Sequence, residues 1–309
     1  MLDVVIVGGG PAGLSAALVL GRCRRRVVVL DAGRPRNAAS HALHGFLTRD
    51  GTPPLELLTI AREQLRPYAV ELVDAEVVAA RRHDGGGFEV ELDDASRLFA
   101  RRLLLATGIT DRLPEVEGFA PLYGRSAHHC PFCDGWEARD RPLVAYARDP
   151  GAADFALLLT SWSRDVLLCT DGRPLAPDDE ARLAAGGVAV RTDPVARLEG
   201  HRGQLERVVF ARGDAVARRA LFFHLGTGST GDLAAQLGCR CDDAAGVHTG
   251  AREETSEPGV WVAGDASKDV LLAIVAAAEG ARAAVDIHRS LVREELEARL
   301  TAPRGPPRG

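Results

Sequence analysis

The chain has 309 residues, of which 46% are hydrophobic and 26% are charged, and its formal net charge is -5. This length suffices for about two domains with apolar cores, and the composition excludes a mainly disordered or fibrous chain. The acidic balance argues against nucleic acid as the main partner. The glycine-broken N-terminal apolar stretch, which lacks a cationic leader, predicts a cytoplasmic protein without a membrane span.

The first predicted element is a short apolar strand, LDVVIV, followed by GGGPAG and a helix of small and apolar residues. Gly8, Gly10 and Gly13 match G-x-G-x-x-G, in which the glycines allow a tight turn, close approach of a pyrophosphate and close packing of helix on strand. Pro11 and Ala12 begin the helix, whose N-terminal N–H groups favour phosphate.

A second strand, VVVL, leads directly into Asp31, at the distance where an acid binds the ribose hydroxyl of a dinucleotide. Strand, turn, helix and acid together predict a dinucleotide site rather than a glycine-rich turn that binds nothing. Two later predicted strands also run into short turns, which contain Ala106, Thr107 and Gly108 in the first case and Gly264 and Asp265 in the second.

Between these turns, AHHCPFCDGWE places Cys130 and Cys133 two residues apart. This spacing serves both thiol exchange and zinc binding, and in a reducing compartment such a pair is more often catalytic or metal-bound than structural. Zinc would require further ligands, for which Cys239 and Cys241 are the candidates. The candidate acid/base groups are the neighbours of the two sulfurs, namely His128, His129 and Asp134.

The order GGGPAG, ATG, Cys-x-x-Cys, AGD resembles the thioredoxin reductase-like flavoprotein disulfide oxidoreductases over nearly the whole chain. The resemblance implies an α/β fold with two Rossmann-like dinucleotide-binding-type domains. A discontinuous FAD-binding domain, residues 1–115 and 230–309, would enclose an NAD(P)H-domain-like module, residues 116–229, that carries the cysteine pair. The final stretch, TAPRGPPRG, is predicted to be an unfolded tail.

The same resemblance implies that the cofactor is FAD, held by the three turns described above. Ala273 and Ile274 would contact it from a helix that begins near Val270 and directs its positive end at the flavin. The family also implies a homodimer.

The inserted module departs from a pyridine-nucleotide-dependent reductase. Between its predicted strand LVAYA and the next helix, Gly151 is the only glycine, and Asp149 would place negative charge where a pyrophosphate binds. We therefore predict that this module keeps the architecture and has lost the nicotinamide nucleotide. The alternative is weak NAD(H) binding, with Asp171 meeting a ribose.

The stretches CPFCDGWE and DASKDVLLAIVAAAEG are most similar to the flavin-dependent small-molecule dithiol oxidases that close the disulfides of gliotoxin, holomycin and romidepsin. That resemblance implies that Cys130 exchanges with the substrate, that Cys133 lies next to the flavin and that O2 accepts the electrons, forming H2O2. Several of these enzymes have His after the second cysteine, where this chain has Asp134.

Two other functions remain open at this point. The first is that of a thioredoxin or peroxiredoxin reductase that uses NAD(P)H or another electron donor. The second is that of a flavin-binding protein without turnover, which senses redox state or holds zinc. Trp136 lines a substrate pocket or belongs to the core.

Overall fold

The computed structural model describes residues 1–229, 232–241, 246–267 and 270–301. Of the predicted C-terminal tail, residues 302–309 lie outside these ranges, and Thr301 is the last residue of a helix. Contacts between Cα atoms divide the chain into two compact units: unit 1 comprises residues 1–35, 55–109 and 229–309, and unit 2 comprises residues 36–54 and 110–228.

The second unit differs from the predicted inserted module in one respect. Residues 36–54, which follow the first strand–turn–helix motif and were expected in the FAD domain, pack with residues 110–228. No local sequence pattern indicates that residues 36–54 belong to the second unit, because this assignment depends on contacts with residues more than 50 positions away.

The helices are α1 (Pro11–Arg22), α2 (Pro54–Leu65), α3 (Pro131–Asp134), α4 (Ala152–Leu159), α5 (Pro177–Ala185), α6 (Leu233–Gln236) and α7 (Ala273–Thr301). The first strands are β1 (Leu2–Val7), β2 (Val27–Asp31), β3 (Val70–Asp74), β4 (Val77–Arg82), β5 (Phe88–Leu92), β6 (Arg97–Leu105) and β7 (Ile109–Asp111). The remaining strands are β8 (Ala127–His128), β9 (Leu143–Ala147), β10 (Val166–Cys169), β11 (Ala189–Arg191), β12 (Val195–His201), β13 (Gln204–Phe210), β14 (Val216–Ala217), β15 (Ala220–His224), β16 (Thr227–Ser229) and β17 (Val260–Val262).

Unit 1 is built on a sheet of order β3-β2-β1-β6-β5-β4, with β17 also paired to β6. The strands β3, β2, β1, β6 and β17 are parallel, and β4 and β5 are antiparallel additions. The central strand β1 is apolar from Val4 to Val7 because both of its faces are covered there. Val4 and Ile6 pack in the core cluster that contains α1 and α7, and Val5 and Val7 pack in the cluster on the opposite face.

Helix α7 begins three residues later than the sequence predicts. It starts at Ala273 rather than near Val270, and the N–H of Ala276 donates to the carbonyl oxygen of Leu272 at 2.9 Å. The carbonyl of Leu272 thus accepts the first bond of the helix, as an N-cap residue does. Ala273 and Ile274 are therefore the first two helical residues.

Unit 2 contains a five-stranded parallel sheet of order β11-β10-β9-β15-β8 and an antiparallel sheet of order β12-β13-β14, while β7 and β16 form a separate pair. Two apolar clusters cover the faces of the five-stranded sheet. In the described ranges of both units, no helix combines the length and apolar character needed to cross a bilayer.

Candidate functional site

The glycine-rich turn after β1 is too tight for side chains at two positions. A Cβ on Gly8, whose φ is +108°, would lie 2.2 Å from the carbonyl oxygen of Ala106, and a Cβ on Gly13 would lie 1.9 Å from that of Gly8. A Cβ on Gly10 would meet nothing within 4 Å, so the turn is open at this point. A tight loop with an open face at the start of a helix is what a phosphate needs to approach backbone N–H groups.

The start of α1 lies against the late turn and the last helix. Gly10 is the N-cap, Pro11 is the first helical residue and Ala12 is 5% exposed. A Cβ on Gly264 would lie 2.9 Å from the Cβ of Ala12, and a Cβ on Gly280 would lie 2.0 Å from its carbonyl oxygen. Motifs that are more than 250 residues apart in sequence therefore meet inside unit 1.

Asp31 ends β2 beside the glycine-rich turn. A Cβ on Gly9 would lie 2.3 Å from the Asp31 Oδ2 atom, and the N–H of Gly33 donates to Oδ1 at 3.1 Å. The guanidinium of Arg62, on α2, forms an ion pair with Oδ2. Arg62 thus orients the carboxylate, a contact that sequence reasoning missed because no motif connects α2 to β2.

The late turn is held by a buried acid. The N–H of Gly264 donates to Glu279 Oε2 at 2.7 Å, and the hydroxyl of Ser267 donates to the same oxygen at 3.4 Å. Asp265 opens the 3-10 turn that this contact fixes, and Glu279 is only 3% exposed. Sequence analysis placed Asp265 at the site and gave no role to Glu279, whose helical pattern is that of a core helix.

The predicted cofactor residues all lie in unit 1. The backbone fits a dinucleotide, because a side chain would fill the cradle at Gly8 and Gly13, whereas Gly10 and Gly108 each face open space. Gly108 also has a φ of +67°, which only glycine adopts readily. The residues assembled in this unit are Gly8, Gly10, Pro11, Ala12, Gly13, Asp31, Ala106, Thr107, Gly108, Gly264, Asp265, Ala273 and Ile274.

The cysteine pair of unit 2 is a disulfide at the start of α3. Cys130 is the N-cap residue and is bonded to Cys133, with 5.3 Å between their Cα atoms. The N–H of Cys133 donates to Cys130 Sγ at 3.1 Å. Since the two sulfurs are bonded to each other, this structure holds the oxidised form of the pair.

His128 and Asp134 face each other beside this disulfide. The Nδ1 atom of His128, at the end of β8, lies 3.2 Å from Asp134 Oδ1, and the ring centroid lies 5.5 Å from that of Phe222. Both residues line a cavity of about 340 Å³ in unit 2. His44 and Glu137 line the same cavity, with 3.6 Å between His44 Nε2 and Glu137 Oε1.

His129 has different surroundings. Its Nδ1 lies 3.6 Å from Oδ2 of Asp111, a carboxylate that receives two hydrogen bonds from Arg36, at 2.6 and 3.0 Å, and one from the hydroxyl of Tyr123, at 3.2 Å. Burial lowers the pKa of His129, and the Arg36 cation lowers it further. Burial alone would raise the pKa of Asp111, but the Arg36 hydrogen bonds hold it below its usual value. Neither Asp111 nor Arg36 carries a local sequence signal.

The Asp149 carboxylate binds the backbone at the start of α4. Asp149 Oδ1 accepts from the N–H of Gly151, the N-cap of α4, at 2.8 Å, and its Oδ2 lies 2.8 Å from His224 Nδ1. Asp171 accepts from the hydroxyl of Tyr146 at 2.7 Å and from the N–H of Val195 at 2.9 Å. Both acids therefore bind groups of unit 2 itself.

The remaining candidates are placed as follows. Trp136 is 65% exposed, so it does not belong to the core. Cys239 is buried and Cys241 is exposed. Among the residues that the structure describes, no group of three or more His, Cys, Asp or Glu side chains is arranged to hold a metal ion.

Comparison with known proteins places this geometry in a family. The pattern of the family "Pyridine nucleotide-disulphide oxidoreductase" matches residues 2–280. A probable thioredoxin reductase of Arthroderma benhamiae is 30% identical and covers 96% of this chain and 82% of its own length. Thioredoxin reductase sirT of Leptosphaeria maculans is 26% identical over 97% of both chains.

Solved structures agree with the sequence relatives. The crystal structure of HlmI is 38% identical, with a TM-score of 0.94, and the match covers 97% of this chain and 96% of HlmI. This identity extends the similarity from fold to sequence. The chain therefore belongs to the pyridine nucleotide-disulphide oxidoreductase family, as a thioredoxin reductase-like flavoprotein whose cofactor is FAD.

Proposed function

We propose that this flavoprotein is a dithiol oxidase that forms an intramolecular disulfide in a small natural-product dithiol and passes the electrons to O2, releasing H2O2. The observation that carries the proposal is the position of the Asp149 carboxylate, which accepts a hydrogen bond from the N–H of Gly151, the N-cap residue of α4. A nicotinamide nucleotide would need its pyrophosphate beside the N–H groups of this helix, where it would meet the negative charge. Without that nucleotide, the dithiol is the electron donor.

The turns of unit 1 would hold FAD. Gly8, Gly10 and Gly13 leave room for its pyrophosphate, and Asp31 would accept a ribose hydroxyl. When bound, FAD supplies a two-electron acceptor that returns the cysteine pair to the disulfide and delivers the electrons to O2. The other turn residues, from Ala106 to Gly108 and at Gly264, Asp265, Ala273 and Ile274, complete the proposed cradle.

The cysteines perform the exchange with the substrate. The first substrate thiolate attacks Cys130 Sγ, which breaks the Cys130–Cys133 bond and leaves a mixed disulfide with a thiolate on Cys133. The second substrate thiolate then attacks the substrate sulfur of that mixed disulfide and releases the cyclic disulfide. Two electrons have moved to the protein, whose two sulfurs are then thiols once each has taken a proton.

His128 and Asp134 are the proposed acid/base pair. Asp134 follows Cys133 directly and its carboxylate orients the His128 ring through Nδ1. A base oriented in this way takes the proton from an incoming thiol and returns it to a leaving thiolate. His129 points instead to the buried Asp111, so we assign it a positioning role beside Cys130.

A homodimer is the assembly that the family resemblance implies, and the cytoplasm is the location that we expect for it. The second candidate function is that of a thioredoxin reductase-type enzyme, which the names of the relatives favour. The two functions differ in their electron donor.

An anaerobic titration separates them. The yellow protein receives NADPH or NADH in one cuvette and dithiothreitol in another, flavin absorbance is followed, and air is then admitted. The dithiol alone should bleach the flavin, and air should restore it with release of H2O2. Rapid bleaching by a nicotinamide nucleotide would establish the reductase instead.

Two variants test the assigned side chains. Cys130→Ser should abolish bleaching by dithiothreitol while FAD remains bound. His128→Gln should lower kcat by about 100-fold, the usual contribution of a general base. If His129→Gln reproduced that loss and His128→Gln did not, the assignment would be reversed.

A further inference from the structure

Two large aromatic side chains next to the disulfide face solvent. Phe132, between the two cysteines, is 66% exposed, and Trp136, one helical turn later, is 65% exposed. The whole chain has only three tryptophans and nine phenylalanines. Because burial of such a side chain stabilises a fold, core packing does not account for these two positions.

The neighbours of the two rings hold them in place. Phe132 meets Trp162 edge to face, with 5.8 Å between ring centroids and an interplanar angle of 83°, and a Cβ on Gly135 would lie 2.7 Å from the Trp162 ring. The Arg139 guanidinium lies 4.0 Å from the centroid of Trp136 and donates to its carbonyl oxygen at 2.7 Å. Each exposed ring is thus supported by a neighbour, and we call the three aromatic side chains near the disulfide, Phe132, Trp136 and Trp162, the aromatic platform.

We propose that the aromatic platform binds a flat, unsaturated ring of the substrate while the first thiolate of that substrate attacks Cys130. The inference rests on the proposed function and adds a substrate class to it, a small dithiol built on an aromatic or similarly flat ring. Aromatic rings recognise one another through offset-stacked or edge-to-face contacts, which an aliphatic dithiol cannot make.

The size of the platform favours a small molecule over a protein. An aromatic side chain buries roughly 150–250 Å² when it is covered. A stable protein interface buries about 800 Å² on each partner, more than the two exposed rings provide. The rings also flank the reactive disulfide itself, so a ligand lying on them brings its thiols to Cys130.

Two probes form a matched pair. Dithiothreitol and 1,2-bis(mercaptomethyl)benzene each close to a six-membered cyclic disulfide, and only the second carries a benzene ring. In either case the S–S bond of Cys130–Cys133 breaks and the S–S bond of the product forms, so the chemistry is the same. Any difference between the probes therefore reports on recognition of the ring.

The experiment compares steady-state oxidation of the two probes by the FAD-loaded enzyme and its variants. We expect wild type to prefer the benzene dithiol in kcat/KM, and Trp136→Ala to raise KM for it about tenfold, which corresponds to about 1.4 kcal/mol. KM for dithiothreitol should not change. Trp136→Phe, which keeps a ring, should restore most of the affinity. Val190 is an exposed apolar residue of the same unit, and Val190→Ala should not change KM for either probe.

Equal losses for both probes in Trp136→Ala, or no loss for either, would overturn the platform. Failure of the proposed function gives a different result, in which the wild-type enzyme oxidises neither dithiol. In that case calorimetric titration of the oxidised protein with the cyclic benzene disulfide, which needs no turnover, decides the inference. The platform is upheld if Trp136→Ala binds the cyclic benzene disulfide about tenfold more weakly than wild type does. It is refuted if wild type and Trp136→Ala bind this disulfide equally, or if the enzyme preferentially captures a protein dithiol.

Discussion

At the scale of single residues, the buried carboxylate of Asp111, which faces the neighbour of Cys130, carries an electrostatic cost. Its side chain is 5% exposed, and that of its partner Arg36 is 14% exposed. The bidentate contact offsets the loss of water around the carboxylate, because ionised partners make the strongest hydrogen bonds. His129, the neighbour of Cys130, depends on the same carboxylate for its environment.

Arg36→Met should destabilise the protein by about 3–5 kcal/mol at pH 7, because it leaves a buried charge without its partner. The pKa of Asp111 is held below its usual value, so the stabilisation is fully present above the unfolded pKa of about 3.9 and is lost as the pH falls through the lower folded value. Without Arg36, burial raises the pKa of Asp111 in the folded variant. The variant therefore takes up a proton before wild type does, and its deficit, measured by urea unfolding, should shrink as the pH falls from 7 towards 4.

Arg34→Met is the matched control for this measurement. Arg34 pairs with Glu76, but the two side chains are 69% and 46% exposed, so its loss should change the free energy of unfolding far less than Arg36→Met does. Equal losses in Arg36→Met and Arg34→Met would show that the Asp111 pair is not the buried ion pair described here.

At the scale of elements, the contact between α1 and α7 joins the first motif of the chain to the last. Small residues make the contact possible: Gly280 lets α7 approach the carbonyl of Ala12, and Gly264 lets the late turn approach its side chain. The glycine-rich turn and the start of α7, which together would hold FAD, thus share one packed interface.

Gly280→Ala should destabilise the protein, although alanine in a helix interior is normally preferred to glycine by about 1 kcal/mol. The new Cβ would lie 2.0 Å from the Ala12 carbonyl oxygen, and such overpacking costs about 1–3 kcal/mol. Thermal unfolding of the FAD-loaded protein and the fraction of FAD retained after gel filtration are the two readouts.

Ala278→Gly, at an exposed position of α7, should lower stability by about 1 kcal/mol through helix propensity and leave FAD retention unchanged. If Gly280→Ala raised the melting temperature, the close approach of the two helices would be refuted.

At the scale of the whole molecule, the two units contain different groups of the proposed functional residues. Unit 1 contains the proposed cofactor cradle, and unit 2 contains the disulfide, the acid/base pair and the aromatic platform. Both units have parallel sheets of the dinucleotide-binding type, but only unit 1 has the open glycine-rich turn.

Added FAD should therefore raise the melting temperature of the FAD-depleted protein, while NADPH at the same concentration should not. A ligand present at about 100 times its dissociation constant stabilises the folded state by about 2.7 kcal/mol. Differential scanning calorimetry with each nucleotide measures both effects. A comparable shift with NADPH would contradict the loss of the nucleotide site next to Asp149.

Much of the fold was predictable because its signals are local. Strands β1 and β2 and the turn between β1 and α1 follow from contiguous residue types, and the family match confirms the fold class. The residues proposed to hold FAD remain a prediction, with Gly8, Gly10 and Gly13 placed as a tight, open turn.

The sequence by itself determined the α/β architecture and the dinucleotide-binding motif, since hydrophobic periodicity and motif spacing are properties of neighbouring residues. The family resemblance added FAD, and the redox role of the cysteine pair stays a prediction. Only the tertiary structure decided that His128 pairs with Asp134 while His129 faces Asp111, and that Trp136 is exposed. The physical reason is that burial, ion pairing and pKa depend on groups brought together from distant segments, as Arg36 and Asp111 are across 75 positions.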